Sequence, residues 1–201
     1  MTRAQKVATL GMDRAREMLR PGVTSQEVAT EVLYVMMKAG AERTSIPIYV
    51  SFGPYTCMLH GILSPEPLKE GALVVINLNP QVEGYCANLS RTFVLGEPDE
   101  TQRRLKKAYS EMVAETHAMM KPGVLVKDLD ARGREIRAAH GFGDYHLDGI
   151  SQGIGLRFEE MPASTIIGQY RNVRIRKGMT LTIGHTILAV PGIAGVRNED
   201  V

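Results

Sequence analysis

The chain has 201 residues, 44% of them hydrophobic and 23% charged, with a formal net charge of +2. That composition fits a folded globular protein, either one large domain or two joined halves, and so small a charge gives no reason to expect nucleic acid or a membrane surface as partner. Two cysteines, Cys57 and Cys86, make no disulfide framework, and no apolar run nears the roughly 18–20 residues of a membrane span, so a reduced, cytoplasmic protein is expected.

Residues 3–19 predict a helix from the spacing of Val7, Leu10, Met18 and Leu19, stopped by Pro21-Gly22. This segment is charged and helical in pattern, unlike a signal peptide. Thr24-Ser25 caps a second helix that runs to about Ala39 and ends at Gly40. Strands are expected over 46–52, 73–78 and 85–95, the last ended by Gly96-Glu97-Pro98. Asp99 and Thr101 open a long helix to about Met120, and Pro122-Gly123 separates it from another over 126–139. Short strands follow, including 179–188. The basic group Arg171, Arg174, Arg176 and Lys177 is interrupted by apolar residues and reads as a solvated turn.

The two halves echo each other. Met18-Leu19-Arg20-Pro21-Gly22-Val23 returns as Met119-Met120-Lys121-Pro122-Gly123-Val124, and Gly40 as Gly141, 101 positions on. Lys69-Glu70-Gly71 returns as Arg176-Lys177-Gly178, 107 positions on. That period is too long for a solenoid. A duplicated α/β unit is expected, with halves at about 1–98 and 99–201 and a site drawing residues from both.

Several motifs then follow in order. Leu59-His60-Gly61 comes first, then the strand pair from Val75 to Phe93 with its Gly84-Tyr85 and Arg91-Thr92-Phe93 elements. Gln152-Gly153-Ile154-Gly155-Leu156, Glu159-Glu160-Met161-Pro162, Gly178-Met179 with Thr182-Ile183, and Gly195-Val196-Arg197-Asn198-Glu199-Asp200 complete the series. Together they resemble the pita-bread family of methionine aminopeptidases, prolidases and creatinases over nearly the whole chain. The resemblance implies an α/β pita-bread fold: two pseudo-symmetric halves whose curved antiparallel sheet is covered by helices. The N-terminal domain of prolidases and creatinase has no counterpart in the sequence, and a homodimer is implied.

Members of that family hold two metal ions with two Asp, one His and two Glu. Carried over, those positions are Asn77, Asn88, Gln152, Gly184 and Glu199, of which Glu199 alone keeps the family's residue. Asn and Gln keep hydrogen-bonding capacity without charge, and one carboxylate undercompensates two divalent ions. No metal and no other cofactor is therefore expected. The resemblance is nearest in site logic to the metal-free creatinase branch, in which the counterpart of His60 is the catalytic acid/base. An imidazole suits that work near neutral pH, the alternative being a His that caps a turn. Creatinase grips its guanidinium with Glu at the positions of Ser90 and Gly184, so creatine is not the expected substrate. Glu159 stands where peptidases have a His against the scissile carbonyl, and a carboxylate there opposes a developing oxyanion.

The expectation is a metal-independent hydrolase or lyase acting on a C–N bond of a small polar molecule. His60 and Glu199 are the catalytic candidates, and Asn77, Asn88, Gln152, Glu159, Glu160 and His185 the substrate-binding ones. The rivals are a non-catalytic pita-bread binding module and a residual aminopeptidase with one metal on Glu199. His185 either reaches the pocket or occupies a strand edge. His117 and His140 are expected at the surface, as is His146 in its loop. Cys86 and Cys57 read as small core residues rather than nucleophiles, and Tyr85 and Arg91 as residues that hold the strand pair together.

Overall fold

The computed structural model describes residues 1–145, 147–163 and 168–201; the expectation for His146 lies outside them. Helix α1, Thr2–Met18, buries Ala4, Val7, Ala8, Gly11, Met12 and Ala15, a single stripe at helical spacing. It crosses α2, Ser25–Lys38, at Gly11, where a Cβ would lie 2.8 Å from Met36 Cγ. Thr24 and Glu27 form a capping box that opens α2. Asp99 and Gln102 do the same for α3, Glu100–Met119, which packs on α4, Val126–Ala139.

The internal repeat is matched bond for bond. Gly22 N donates to Leu68 O at 2.9 Å and Gly123 N to Ile175 O at 2.8 Å. Leu68 N returns to Val23 O, and Ile175 N to Val124 O. Both helix-ending glycines, Gly40 at φ 100° and Gly141 at φ 80°, adopt the left-handed conformation that stops a helix without a Cβ penalty.

The strands are β1 (Arg43–Thr44), β2 (Tyr49–Phe52), β3 (Leu73–Leu78), β4 (Pro80–Val82), β5 (Tyr85–Cys86), β6 (Leu89–Val94), β7 (Gln152–Gly153), β8 (Glu160–Ala163), β9 (Leu188–Val190) and β10 (Ala194–Val196). β2, β3 and β6 pair antiparallel in that order. The ladder then continues through single bridges, Ser90 to Glu199, Asp200 to Ile183 and Leu181 to Gly153, and so reaches β7 and β8. This joined, helix-covered antiparallel sheet is the pita-bread architecture. Small pairings, β1–β4–β5 and β9–β10, flank it.

β3 is buried along its whole length and its alternation divides two cores. Val74, Ile76 and Leu78 enter the core under α1 and α2, while Leu73 and Val75 enter the core under α3 and α4. Asn77 is the next residue on the Leu73–Val75 side. There the apolar stripe stops and the polar site begins.

Two expected strands are corrected. The run 85–95 divides at Ala87–Asn88 because the chain changes partners: residues 85–86 pair with β4 and 89–94 with β3. The run 179–188 holds only bridges at Leu181 and Ile183 before β9 begins at Leu188. Gly184 breaks it with φ 81°, at a point where a Cβ would lie 2.1 Å from Asn198 O.

Candidate functional site

Residues opposite one another in an antiparallel ladder share a face. Tyr49 lies opposite Asn77, Asn77 opposite Ser90, and Ser90 opposite Glu199. One row across the sheet therefore carries both ends of the candidate list onto one face. Asn88 lies two residues before Ser90, immediately ahead of β6. Gln152 sits in β7, where its backbone carbonyl accepts from Thr182 N at 2.8 Å.

The kink at Gly184 turns His185 into this face. Gly184 N and His185 N both donate to Ile150 O, at 2.9 and 3.0 Å. Tyr109, fully buried on α3, approaches Gly184 O and Thr186 O at 2.7 Å each. Arg137, fully buried on α4, reaches Ile187 O at 3.1 Å and Thr186 Oγ1 at 3.4 Å. The carbonyls flanking His185 are thus gripped from beneath. Of the two alternatives for His185 in the sequence, the buried position is the one observed: it is 1% exposed, with its ring 6.3 Å from that of Phe158.

His185 Nδ1 lies 2.8 Å from Glu199 Oε1. A carboxylate only accepts, so the shorter contact to Glu199 puts the proton on Nδ1; Arg197 Nη2, 3.1 Å from the same nitrogen, is then a neighbouring donor rather than its hydrogen-bond partner, and Nε2 lies 3.7 Å from Glu159 Oε1. Glu199 Oε2 accepts from Arg197 Nη2 at 2.6 Å. The other end of the guanidinium, Nη1, donates to Leu59 O at 3.0 Å, next to His60. His60 is exposed, and its ring lies 5.9 Å from that of Tyr49. Burial pushes the Tyr49 phenol up; the Arg197 charge opposes this and the Glu159 charge adds to it.

Burial works against ionisation of Glu199, but the Arg197 guanidinium and the His185 imidazole beside it hold its carboxyl down at about 2, against an ordinary 4.5. The folded value is the depressed one. This pairing therefore adds stability above about pH 4.5 and loses it as pH falls toward 2. Urea titrations at pH 6, 4 and 3 are expected to show stability falling more steeply for the wild type than for Glu199→Gln. Parallel profiles would contradict the assignment.

Asn77, Asn88 and Gln152 are fully buried. Among the described residues, both amide atoms of Asn77, both of Asn88 and Oε1 of Gln152 have no hydrogen-bond partner, and the same holds for both amide atoms of the neighbouring Asn79. Glu159 joins the cluster through His185. Glu160 does not: its carboxylate accepts from Arg157 N at 2.8 Å and lies against Gly155. Glu159 lies in the bend before β8 and Glu160 is the strand's first residue, and the two carboxylates have different neighbours. Arg197, Tyr49 and Asn79 were not singled out by sequence reasoning. Arg197 had a usable signal, because it alternates with Glu199 on the closing strand. Cys86 is buried and Cys57 is half-buried, and burial pushes both thiols up. Arg91 bonds Asp200 at 2.6 Å, tying β6 to the closing strand.

Residues 1–201 match the metallopeptidase family M24. The chain belongs to that family. An Xaa-Pro dipeptidase of Pyrococcus furiosus is 33% identical over 198 residues, 98% of this chain and 56% of the relative. The crystal structure of the prolidase from Pyrococcus horikoshii OT3 superposes with a TM-score of 0.92 at 32% identity, covering 98% of this chain and 56% of that one. The prolidase from Pyrococcus furiosus gives 0.91 at 32% identity, covering 98% and 58%. The chain thus spans just over half the length of the relatives it matches. Among the described residues, no helix is long and apolar enough to cross a membrane.

Proposed function

We propose that this M24 chain is a hydrolase that opens a C–N bond of a small polar substrate without a metal pair, in the manner of the family's metal-free branch. One observation carries the proposal. Glu199, the carboxylate kept from the family's ligand set, is bonded to Arg197 at 2.6 Å and to His185 at 2.8 Å, so its charge is already balanced by the chain itself. The other four positions offer three neutral amides and a glycine. That donor set does not fit two divalent ions. Among the described residues, no group of three or more His, Cys, Asp or Glu side chains could hold a metal ion. The relatives named Xaa-Pro dipeptidases support a hydrolase acting at an amide.

In this scheme the unpartnered amide groups of Asn77 and Asn88 and the amide oxygen of Gln152 bind the substrate's own donors and acceptors. Glu159 supplies negative charge beside His185 and disfavours both an anionic substrate and a developing oxyanion there, so the attacked carbonyl oxygen lies toward the amide N–H groups of Asn77 and Asn88 instead. Glu199 stays ionised and orients His185 rather than moving protons. His60, at the exposed rim, takes a proton from water as its oxygen bonds the acyl carbon. It returns that proton to nitrogen as the C–N bond breaks, leaving an acid and an amine.

The test is turnover of Xaa-Pro dipeptides and simple N-acyl amides with and without EDTA. Activity unchanged by chelator and reduced about a hundredfold or more in His60→Ala, with substrate affinity kept, is the expected result. Loss of activity in EDTA that returns with manganese or cobalt would overturn it. Binding without turnover in the wild type would instead assign a non-catalytic binding module.

A further inference from the structure

A groove on the α2 side of the sheet adjoins the polar site and shares His60 with it. Edge strand β2, helix α2 and the segment 60–63 enclose this groove of about 720 Å³. That is within the roughly 300–1,000 Å³ typical of small-molecule sites. Its apolar lining comes from Leu33, Ile48, Ile62 and Leu63. Leu33 on α2 is 40% exposed and Ile62 opposite it 45%, both open to solvent rather than packed away.

The groove is built rather than incidental. Ser25 and Ser64 exchange hydrogen bonds of 2.8 and 2.6 Å, pinning the far end of the segment to the start of α2. Arg197 pins the near end through Leu59 O. Between them, Gly61 presses on β2 where any Cβ would meet Ser51 Oγ at 1.9 Å. Tyr49 and His60 line the groove with their rings 5.9 Å apart, and Tyr49 lies opposite Asn77 of the polar cluster in the β2–β3 ladder. An occupant of the groove therefore meets the amide site at the acid–base histidine.

We propose that this groove is the specificity subsite for an apolar arm of the substrate, an acyl or side chain several carbons long attached to the amide that is opened. The inference rests on the function proposed above for the polar end. Continuity through Tyr49 and His60 favours a substrate arm over any separate partner, because a ligand held in the polar cluster is already at the groove's mouth.

The experiment is calorimetric titration of N-acetyl-, N-butanoyl- and N-hexanoyl-glycinamide, with sedimentation of the same samples. In the wild type the Kd should tighten roughly tenfold per two-carbon step, the effect of burying two methylenes. Leu33→Asp and, independently, Ile62→Asp should bring the hexanoyl compound to the affinity of the acetyl one. A flat series with measurable acetyl binding would overturn the subsite and leave the polar-site function standing. Failure of every compound to bind would overturn both. If Leu33→Asp abolishes self-association and leaves the chain-length series intact, the groove is an interface between copies and the subsite is wrong.

Discussion

Arg197→Met is expected to lower stability by about 3–5 kcal/mol, the range for breaking a buried ion pair by removing one partner. Arg197 is 2% exposed and Glu199 not at all. Without the guanidinium, the carboxylate keeps the His185 bond but loses the full cation beside it. The guanidinium is one of the two groups that hold this carboxyl down against burial, so in the variant His185 alone opposes burial, the carboxyl's pKa rises, and the interior must either tolerate a poorly compensated charge or take up a proton to remove it. Methionine matches much of the arginine's length and apolar stem, so packing loss is small and the charge effect dominates. Adding Glu199→Gln to Arg197→Met should recover part of the loss, since two absent charges cost less than one unpaired charge. The measurement is the urea midpoint with its slope for all three variants. A single-variant cost under about 1 kcal/mol, or a double variant no better than Arg197→Met, would show that Glu199 does not depend on this partner. Loss of the Leu59 O bond should also loosen the segment that carries His60, so binding and stability are expected to fall together.

Asn77→Leu combined with Asn88→Leu should move the two properties in opposite directions. All four amide atoms are buried without partners, and each such atom costs on the order of 1–3 kcal/mol where water is excluded. Leucine is close in volume, and at position 77 it would extend the apolar stripe of Leu73 and Val75 on the same side of β3. A gain of about 2 kcal/mol is expected for the pair, with the melting temperature raised, while binding of amide ligands disappears. Stability surrendered for function is the usual mark of a binding site in an otherwise well-packed sheet. The reverse outcome, a destabilised protein that still binds, would mean that the amides serve the fold.

Much of the architecture is legible in the order of the residues. Pro-Gly stops and capping boxes act over a few neighbours, so Thr24 with Glu27 and Asp99 with Gln102 mark helix starts before any fold is known. The six-residue apolar run at 73–78 predicts a fully buried strand and is one. The repeat offsets of 101 and 107 foretell paired bonds as specific as Leu68 to Val23 and Ile175 to Val124. The strand expected over 179–188 fails for a reason that composition does not carry. Gly184 reads as an ordinary small residue until Asn198 O, brought in by the closing strand, leaves no room for a Cβ.

The duplicated layout is readable from local turn chemistry and periodicity. The candidacy of His60, and of Asn77, Asn88 and Gln152 as a polar but uncharged set, comes from the motifs that resemble the pita-bread family together with the side-chain types at those positions. The folded chain alone reveals that His185 turns inward, that Arg197 rather than a free carboxylate fills the centre, that Glu159 faces the site while Glu160 turns away, and that an apolar groove meets the polar cluster at Tyr49. Each of these depends on contacts between distant parts of the chain, such as Leu59 with Arg197 and Ser90 with Glu199. Sheet register sets those contacts, and a one-residue shift would send every one of these side chains to the other face.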